Sequence, residues 1–150
     1  MTSLTRREAL VLATSAIAIS IVPVSSALAD KAEADKAVAM FTGGKSAKTG
    51  RISLGLPEIA ENGNTVPLTV SVESPMTKDD YVQSVMVLAE GNPNAGVVTF
   101  NFSPMSGRAE AATRMRLAKT QNITAVAKMS DGSFYSVRKT VKVTIGGCGG

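Results

Sequence analysis

Residues 122–145 read NITAVAKMSDGSFYSVRKTVKVTI. Ile123, Ala125, Ala127 and Met129 recur at every second position, the period of a strand with one buried face. Asp131 and Gly132 then form a dipeptide that favours a tight hairpin. The run from Phe134 to Ile145, rich in β-branched and aromatic residues, supplies a second strand.

Upstream, the same pattern repeats. TVPLTVSVE (65–73) places Val66, Leu68, Val70 and Val72 on one face, and its Pro67 points to an edge position or a strand start. RISLGL (51–56), YVQSVMVLAE (81–90), GVVTFNFSP (96–104) and EAATRMRLA (110–118) complete the set. The turn-rich stretches ENGN, SPMTKDD and GNPN separate them. Seven strands with little helix and no βαβ alternation predict a mainly β fold, a seven-stranded antiparallel immunoglobulin-like β-sandwich. The Cys-Trp-Cys pattern of antibody domains is absent, so this expectation concerns architecture only. One short N-terminal helix is expected in DKAEADKAVAMFTGG (30–44). Ala34, Ala37, Val38 and Phe41 share a helical face, Asp30 stands where a cap would, and Gly43 and Gly44 provide a stop. That face packs either on its own domain or on a partner.

The first 29 residues read as an export signal. Arg6 and Arg7 precede an apolar run from Ala9 to Val22, and Ala27, Leu28 and Ala29 form a cleavage pattern, placing the cut before Asp30. The adjacent arginines resemble a twin-arginine signal, although Ala9 and Val11 depart from its usual residues, and a general secretory signal is the alternative. Export by the twin-arginine route implies folding before translocation. With no cofactor ligands in sight, a cytoplasmically assembled protein partner is the expected reason. The expected organisation is therefore a signal over 1–29, a sandwich with its helix over 30–145 and a tail over 146–150.

Composition narrows the chemistry. The chain has 150 residues and no histidine, which removes a Ser-His-Asp triad and any His-bearing metal site. Residues 30–103 carry 6 basic and 9 acidic side chains, whereas residues 104–150 carry 8 basic and 2 acidic. Within the basic half, Arg114, Arg116 and Lys142 are candidates for docking anions or acidic partner surfaces, set against an ordinary solvated sheet face. Few aromatics and an exported destination argue against nucleic acid. Asp79 and Asp80 read as loop solvation or capping, the methionines as core filler, and no metal site is expected.

The one cysteine, Cys148, lies in IGGCGG at the end of the sequence given. Four of the 13 glycines fall in its last five residues, which makes an accidental cysteine a poor explanation. Five such residues extend to roughly 17 Å, at about 3.3 to 3.6 Å each, and without side chains they are narrow enough to enter a channel. A thiolate bears mixed disulfides, persulfides and other sulfur adducts. With no base beside it, this thiol suits handling by other enzymes better than catalysis of its own.

The N-terminal helix, the seven-stranded sandwich, the run ENGNTVPLTVSVESPMT (61–77), the segment MSDGSFY (129–135) and the ending VKVTIGGCGG (141–150) closely resemble the SoxY family, carriers of the periplasmic thiosulfate-oxidising system. The resemblance implies a carrier without enzymatic activity or resident cofactor. It assigns Cys148 as the covalent attachment site and Gly146, Gly147, Gly149 and Gly150 as a swinging arm. It implies a heterodimer with SoxZ, a haem-containing enzyme that conjugates thiosulfate, a manganese-dependent hydrolase that releases sulfate, and a sulfane dehydrogenase. Neither nucleic acid nor membrane is an expected partner. Two other readings of the residues remain: a structural or adhesive module whose thiol forms intermolecular disulfides, and a diglycine-tailed carrier ending in a thiocarboxylate. The latter needs ATP and a helix-bearing β-grasp fold, neither of which suits an exported, strand-rich chain.

Overall fold

A computed structural model of the chain describes residues 26–146. Residues 1–25 of the export signal expected over 1–29, Arg6 and Arg7 among them, lie outside the described residues, as do Gly147, Cys148, Gly149 and Gly150. The described elements are α1 (Ser26–Thr42), β1 (Ile52–Gly55), β2 (Ile59–Ala60), β3 (Val66–Val72), β4 (Val82–Ala89), β5 (Gly96–Asn101), a 3-10 turn at Pro104–Ser106, β6 (Ala109–Met115), β7 (Gln121–Met129) and β8 (Phe134–Val143). Two sheets form, one ordered β1-β3-β6 and the other β2-β8-β7-β4-β5.

The period-2 sets become the interface between the sheets. Val66, Leu68, Val70 and Val72 of β3 and Ile123, Ala125, Ala127 and Met129 of β7 are all buried in one cluster with Val85, Val87, Leu117 and Val141. Burying each of the larger aliphatic side chains contributes about 1.5 to 3 kcal/mol, so this shared core holds the sandwich closed. All seven expected strands are present.

The eighth, β2, corrects the expected count, and it also breaks the antiparallel rule. Ile59 and Ala60 run parallel to Lys142 and Val143. Two residues are too few to show a period in sequence; β8 recruits them through Lys142 N–H to the Glu58 carbonyl at 2.9 Å and Thr144 N–H to the Ala60 carbonyl at 3.1 Å. Pro67 sits in the central strand of its sheet, yet at that strand's second residue, beyond the register of β1, which reaches only Thr69. Its missing N–H therefore costs no ladder bond to β1.

The helix packs on its own domain. Ala34 is buried against Leu88 and Ala95, with Ala37, Val38 and Met86 around them, and Phe41 meets Phe134 edge-on at 6.1 Å. Gly43 and Gly44 both have positive φ, and Gly44 N–H bonds the Ala39 carbonyl at 2.9 Å; they end the helix as expected. In the full-length chain α1 starts at Ser26, so Asp30 lies within the helix rather than at its cap.

The β7–β8 hairpin is wider than a two-residue turn because Ser130 to Ser133 all lie between the strands. Ser130 is drawn to the neighbouring loop, its hydroxyl bonding the Asp79 carbonyl at 3.0 Å. Asp131 Oδ1 meanwhile accepts from Ser133 N–H and Oγ–H.

Candidate functional site

The tail that carries the thiol leaves the sandwich from β8, and the residues before it are held closely. Val143 N–H donates to Thr120 Oγ1 at 2.9 Å. The Thr144 hydroxyl donates to the Glu61 carbonyl at 2.9 Å. Gly63 N–H donates to the Ile145 carbonyl at 2.7 Å, and the Gly63 carbonyl accepts from Leu117 N–H at 2.8 Å. Gly63 thus ties the end of β8 to the chain just beyond β6.

Gly146 lies against the β6–β7 loop. A Cβ at this position would stand 2.2 Å from the Ala118 carbonyl oxygen and 3.2 Å from its carbon. Real Cβ atoms do not approach oxygen so closely, so only glycine fits while the backbone holds this path.

The loop beneath Gly146 is itself fixed from inside. Gln121, 7% exposed, accepts from Gly91 N–H at 2.6 Å and donates to Asn92 Oδ1 at 2.9 Å and the Lys119 carbonyl at 3.1 Å. Asn92 donates to the Arg116 carbonyl at 2.8 Å, and its Oδ1 also accepts from Ala118 N–H at 3.0 Å. Two side-chain amides therefore satisfy several backbone groups of a loop that no sheet ladder reaches. No buried side-chain nitrogen or oxygen among the described residues lacks a partner.

The three candidate docking cations come to this end of the sandwich but on different sheets. Arg114, exposed near the end of β6, donates to Thr65 Oγ1 at 3.3 Å. Arg116 is exposed one residue beyond β6, in the loop on which Gly146 rests. Lys142, exposed in the last turn of side chains of β8, borders a shallow cavity of about 310 Å³ with Glu58, Ile59 and Lys139. Two exposed apolar side chains, Ile59 and Ile145, lie among them. Asn92, Gln121, Gly63 and Ala118 escaped the sequence reading. ENGN and GNPN marked turns, but nothing local marks which distant backbone groups an amide will reach.

Other charged groups serve the scaffold. Glu90 accepts from Asn122, Thr124 and Arg138, beside a cavity of about 470 Å³ between α1 and the larger sheet. Asp80 bonds Arg51 at 3.2 Å, which raises the guanidinium pKa above its ordinary value, and Asp79 contributes its carbonyl to Ser130. The hydrogen bonds from Ser133 hold Asp131 below the ordinary carboxylate value. Among the described residues, no group of three or more His, Cys, Asp or Glu is placed to hold a metal ion.

The family model of the sulfur oxidation protein SoxY matches residues 37–148. The solved structure of the sulfur carrier protein SoxY from Chlorobium limicola f thiosulfatophilum is 31% identical, covers 79% of this chain and 98% of its own, and superposes with a TM-score of 0.66. A superoxide reductase (neelaredoxin) from Ignicoccus hospitalis is 17% identical over 66% of this chain and 99% of its own, with a TM-score of 0.58. A superoxide reductase described as putative, from Thermotoga maritima, is 16% identical over 69% of this chain and 89% of its own, with a TM-score of 0.52. The likeness to these reductases is one of fold. No curated protein matches the chain in a sequence comparison.

Proposed function

The chain belongs to the SoxY family, and from that premise we propose that it is a sulfur carrier of the thiosulfate-oxidising system, holding its cargo covalently on Cys148. The observation that carries this reading is that the family match runs through the sandwich and reaches residue 148, the chain's only cysteine. The role is that of a carrier acted on by other enzymes.

In the proposed cycle the Cys148 thiol loses its proton and its sulfur bonds the outer sulfur of thiosulfate. Two electrons leave for the haem-containing conjugating enzyme, and a cysteine S-thiosulfonate results. Water then attacks the sulfonate sulfur on the manganese-dependent hydrolase. The bond between the sulfonate and the outer sulfur breaks, sulfate departs, and a persulfide remains on Cys148 for a sulfane dehydrogenase to oxidise. A persulfide is a good leaving and transfer group because its sulfur is readily polarised and its pKa is low. Partner surfaces engage the basic and apolar rim formed by Arg114, Arg116, Lys142, Ile59 and Ile145, and SoxZ completes the heterodimer.

Export before this chemistry fits the paired arginines, with cleavage before Asp30 and work in the periplasm. The cut would remove the first turn of α1, but the helix face that packs on the sheet begins at Ala34, so no described contact of that face is lost. No described helix is long and apolar enough to cross a membrane.

Intact mass of protein isolated from cells grown on thiosulfate tests the proposal, measured with and without reductant and compared with Cys148→Ser. The expected result is a set of reductant-labile sulfur and thiosulfonate adducts, absent from the variant. Wild-type protein carrying only a symmetrical disulfide or a C-terminal thiocarboxylate would refute it.

A further inference from the structure

We infer that Gly146 anchors the arm to the body rather than serving as its hinge. Glycine at 146 is compatible with two opposite roles. In a hinge, glycine provides backbone freedom. In an anchor, it permits a contact that any side chain would obstruct. The geometry favours the anchor: the carbonyl oxygen of Ala118 occupies the place of the absent Cβ, 2.2 Å from where it would lie. The residues on either side of the contact are held as well. Ile145 is bonded through its carbonyl to Gly63. Ala118 N–H is bonded to Asn92, which Gln121 braces in turn. A glycine serving only as a hinge needs no such prepared ledge.

For a carrier this changes the reach of the thiol. Counted from Gly146, Cys148 lies two residues away, so its Cα stays within roughly 7 Å of a fixed point, at about 3.3 to 3.6 Å per residue. A partner enzyme must then bring its active site almost to the body of the carrier, against Ile145 and the rim around it. The gain is a narrow search volume, which raises the effective concentration of the thiol at a docked entrance. The anchor is a positioning element; it takes no part in bond making.

The inference deepens the carrier reading, and its functional meaning rests on that reading, but its test requires no sulfur cargo. The thiol is labelled with a nitroxide at Cys148 in the full mature chain. A second label is placed at Glu110→Cys, an exposed position on β6, and the spread of label-to-label distances is measured by electron spin resonance. Gly146→Ala is the decisive variant because the two roles predict opposite signs. An anchor that can no longer seat releases the root back to Ile145, which Gly63 still holds through its carbonyl, three residues from the label, and the spread of distances widens by roughly half. A hinge made stiffer by a Cβ narrows the spread instead. Gly146 lies beyond the last strand, and an unchanged melting temperature confirms that the body is intact. A narrowed or unchanged spread in Gly146→Ala overturns the anchor. That result leaves the sulfur-adduct experiment unaffected, so a failure here is distinct from a failure of the carrier reading.

Discussion

Replacing Gln121 with alanine is expected to destabilise the protein by about 3 kcal/mol, far more than a polar-to-alanine change normally does at a surface. Three hydrogen bonds are lost, to Gly91 N–H, Asn92 Oδ1 and the Lys119 carbonyl. At about 1 kcal/mol net for each, they give that total. The cost is not cushioned by solvent, because Gln121 is buried and Gly91 N–H is left facing a truncated side chain. Asn92 Oδ1 keeps its bond from Ala118 N–H, so the loop loosens without collapsing. Urea unfolding followed by circular dichroism measures the change, which should appear as a lower midpoint at unchanged slope. Gln121→Glu refines the test. A carboxylate there confronts two acceptors, Asn92 Oδ1 and the Lys119 carbonyl, and burial raises its pKa above about 4.3. For an acid whose folded pKa is raised, stability falls as pH rises through that window and returns on acidification. This variant is therefore expected to regain stability between pH 7 and pH 5, relative to the alanine variant. A loss below about 1 kcal/mol in Gln121→Ala, or a pH-independent difference between the two variants, would refute the reasoning that buried amide bonds hold this loop.

Three further outcomes follow from other parts of the molecule. Phe41→Ala removes the edge-on contact with Phe134 from a half-buried site and should cost about 2 kcal/mol; limited proteolysis should then cut first in α1, and equal protection of wild type and variant would count against the contact. Ser133→Ala removes one of two bonds that keep Asp131 below its ordinary value of 3.8, so the carboxyl titration followed by NMR should move upward. A depressed folded pKa contributes stability above the unfolded value that is lost as pH falls through the folded one, and the variant should show less of this acid dependence. Arg116→Glu and Lys142→Glu, both exposed near the arm's root, should raise KM for enzymatic loading of the carrier with little change in kcat, and added salt should shrink the difference from wild type; a purely kcat effect would argue against docking.

The buried face of the sandwich was legible because strand burial is local in sequence. Val66 to Val72 and Ile123 to Met129 alternate by themselves, and an alternating run has one economical place to go, against another such run. The helix stop at Gly43 and Gly44 was legible for the same reason, since the C-cap conformation belongs to those residues. The missed features are ones whose cause lies elsewhere in the chain. β2 exists because β8 offers it backbone partners, and two residues carry no period of their own. The ledge beneath the tail exists because Asn92 and Gln121 meet across the fold.

Gly146 shows the limit most sharply. In sequence it is one of four glycines around a cysteine, and composition alone assigns all four to the same role. The carbonyl of Ala118 fills the space where a Cβ of Gly146 would lie, and it is invisible to any pattern drawn along residues 146–150. Glycine combines a permissive backbone with the smallest volume, and only a neighbour determines which property a position uses. Where a neighbour fills the space of the Cβ, volume is the property in use. A run of glycines can therefore contain a fixed end and a moving part, with nothing in its letters to mark the boundary. For a carrier, the position of that boundary sets how far the thiol travels. A partner adapted to a thiol reaching roughly 7 Å from the body needs a shallow entrance and a surface that fits the rim, so selectivity among partners falls more on docking than on the length of the arm.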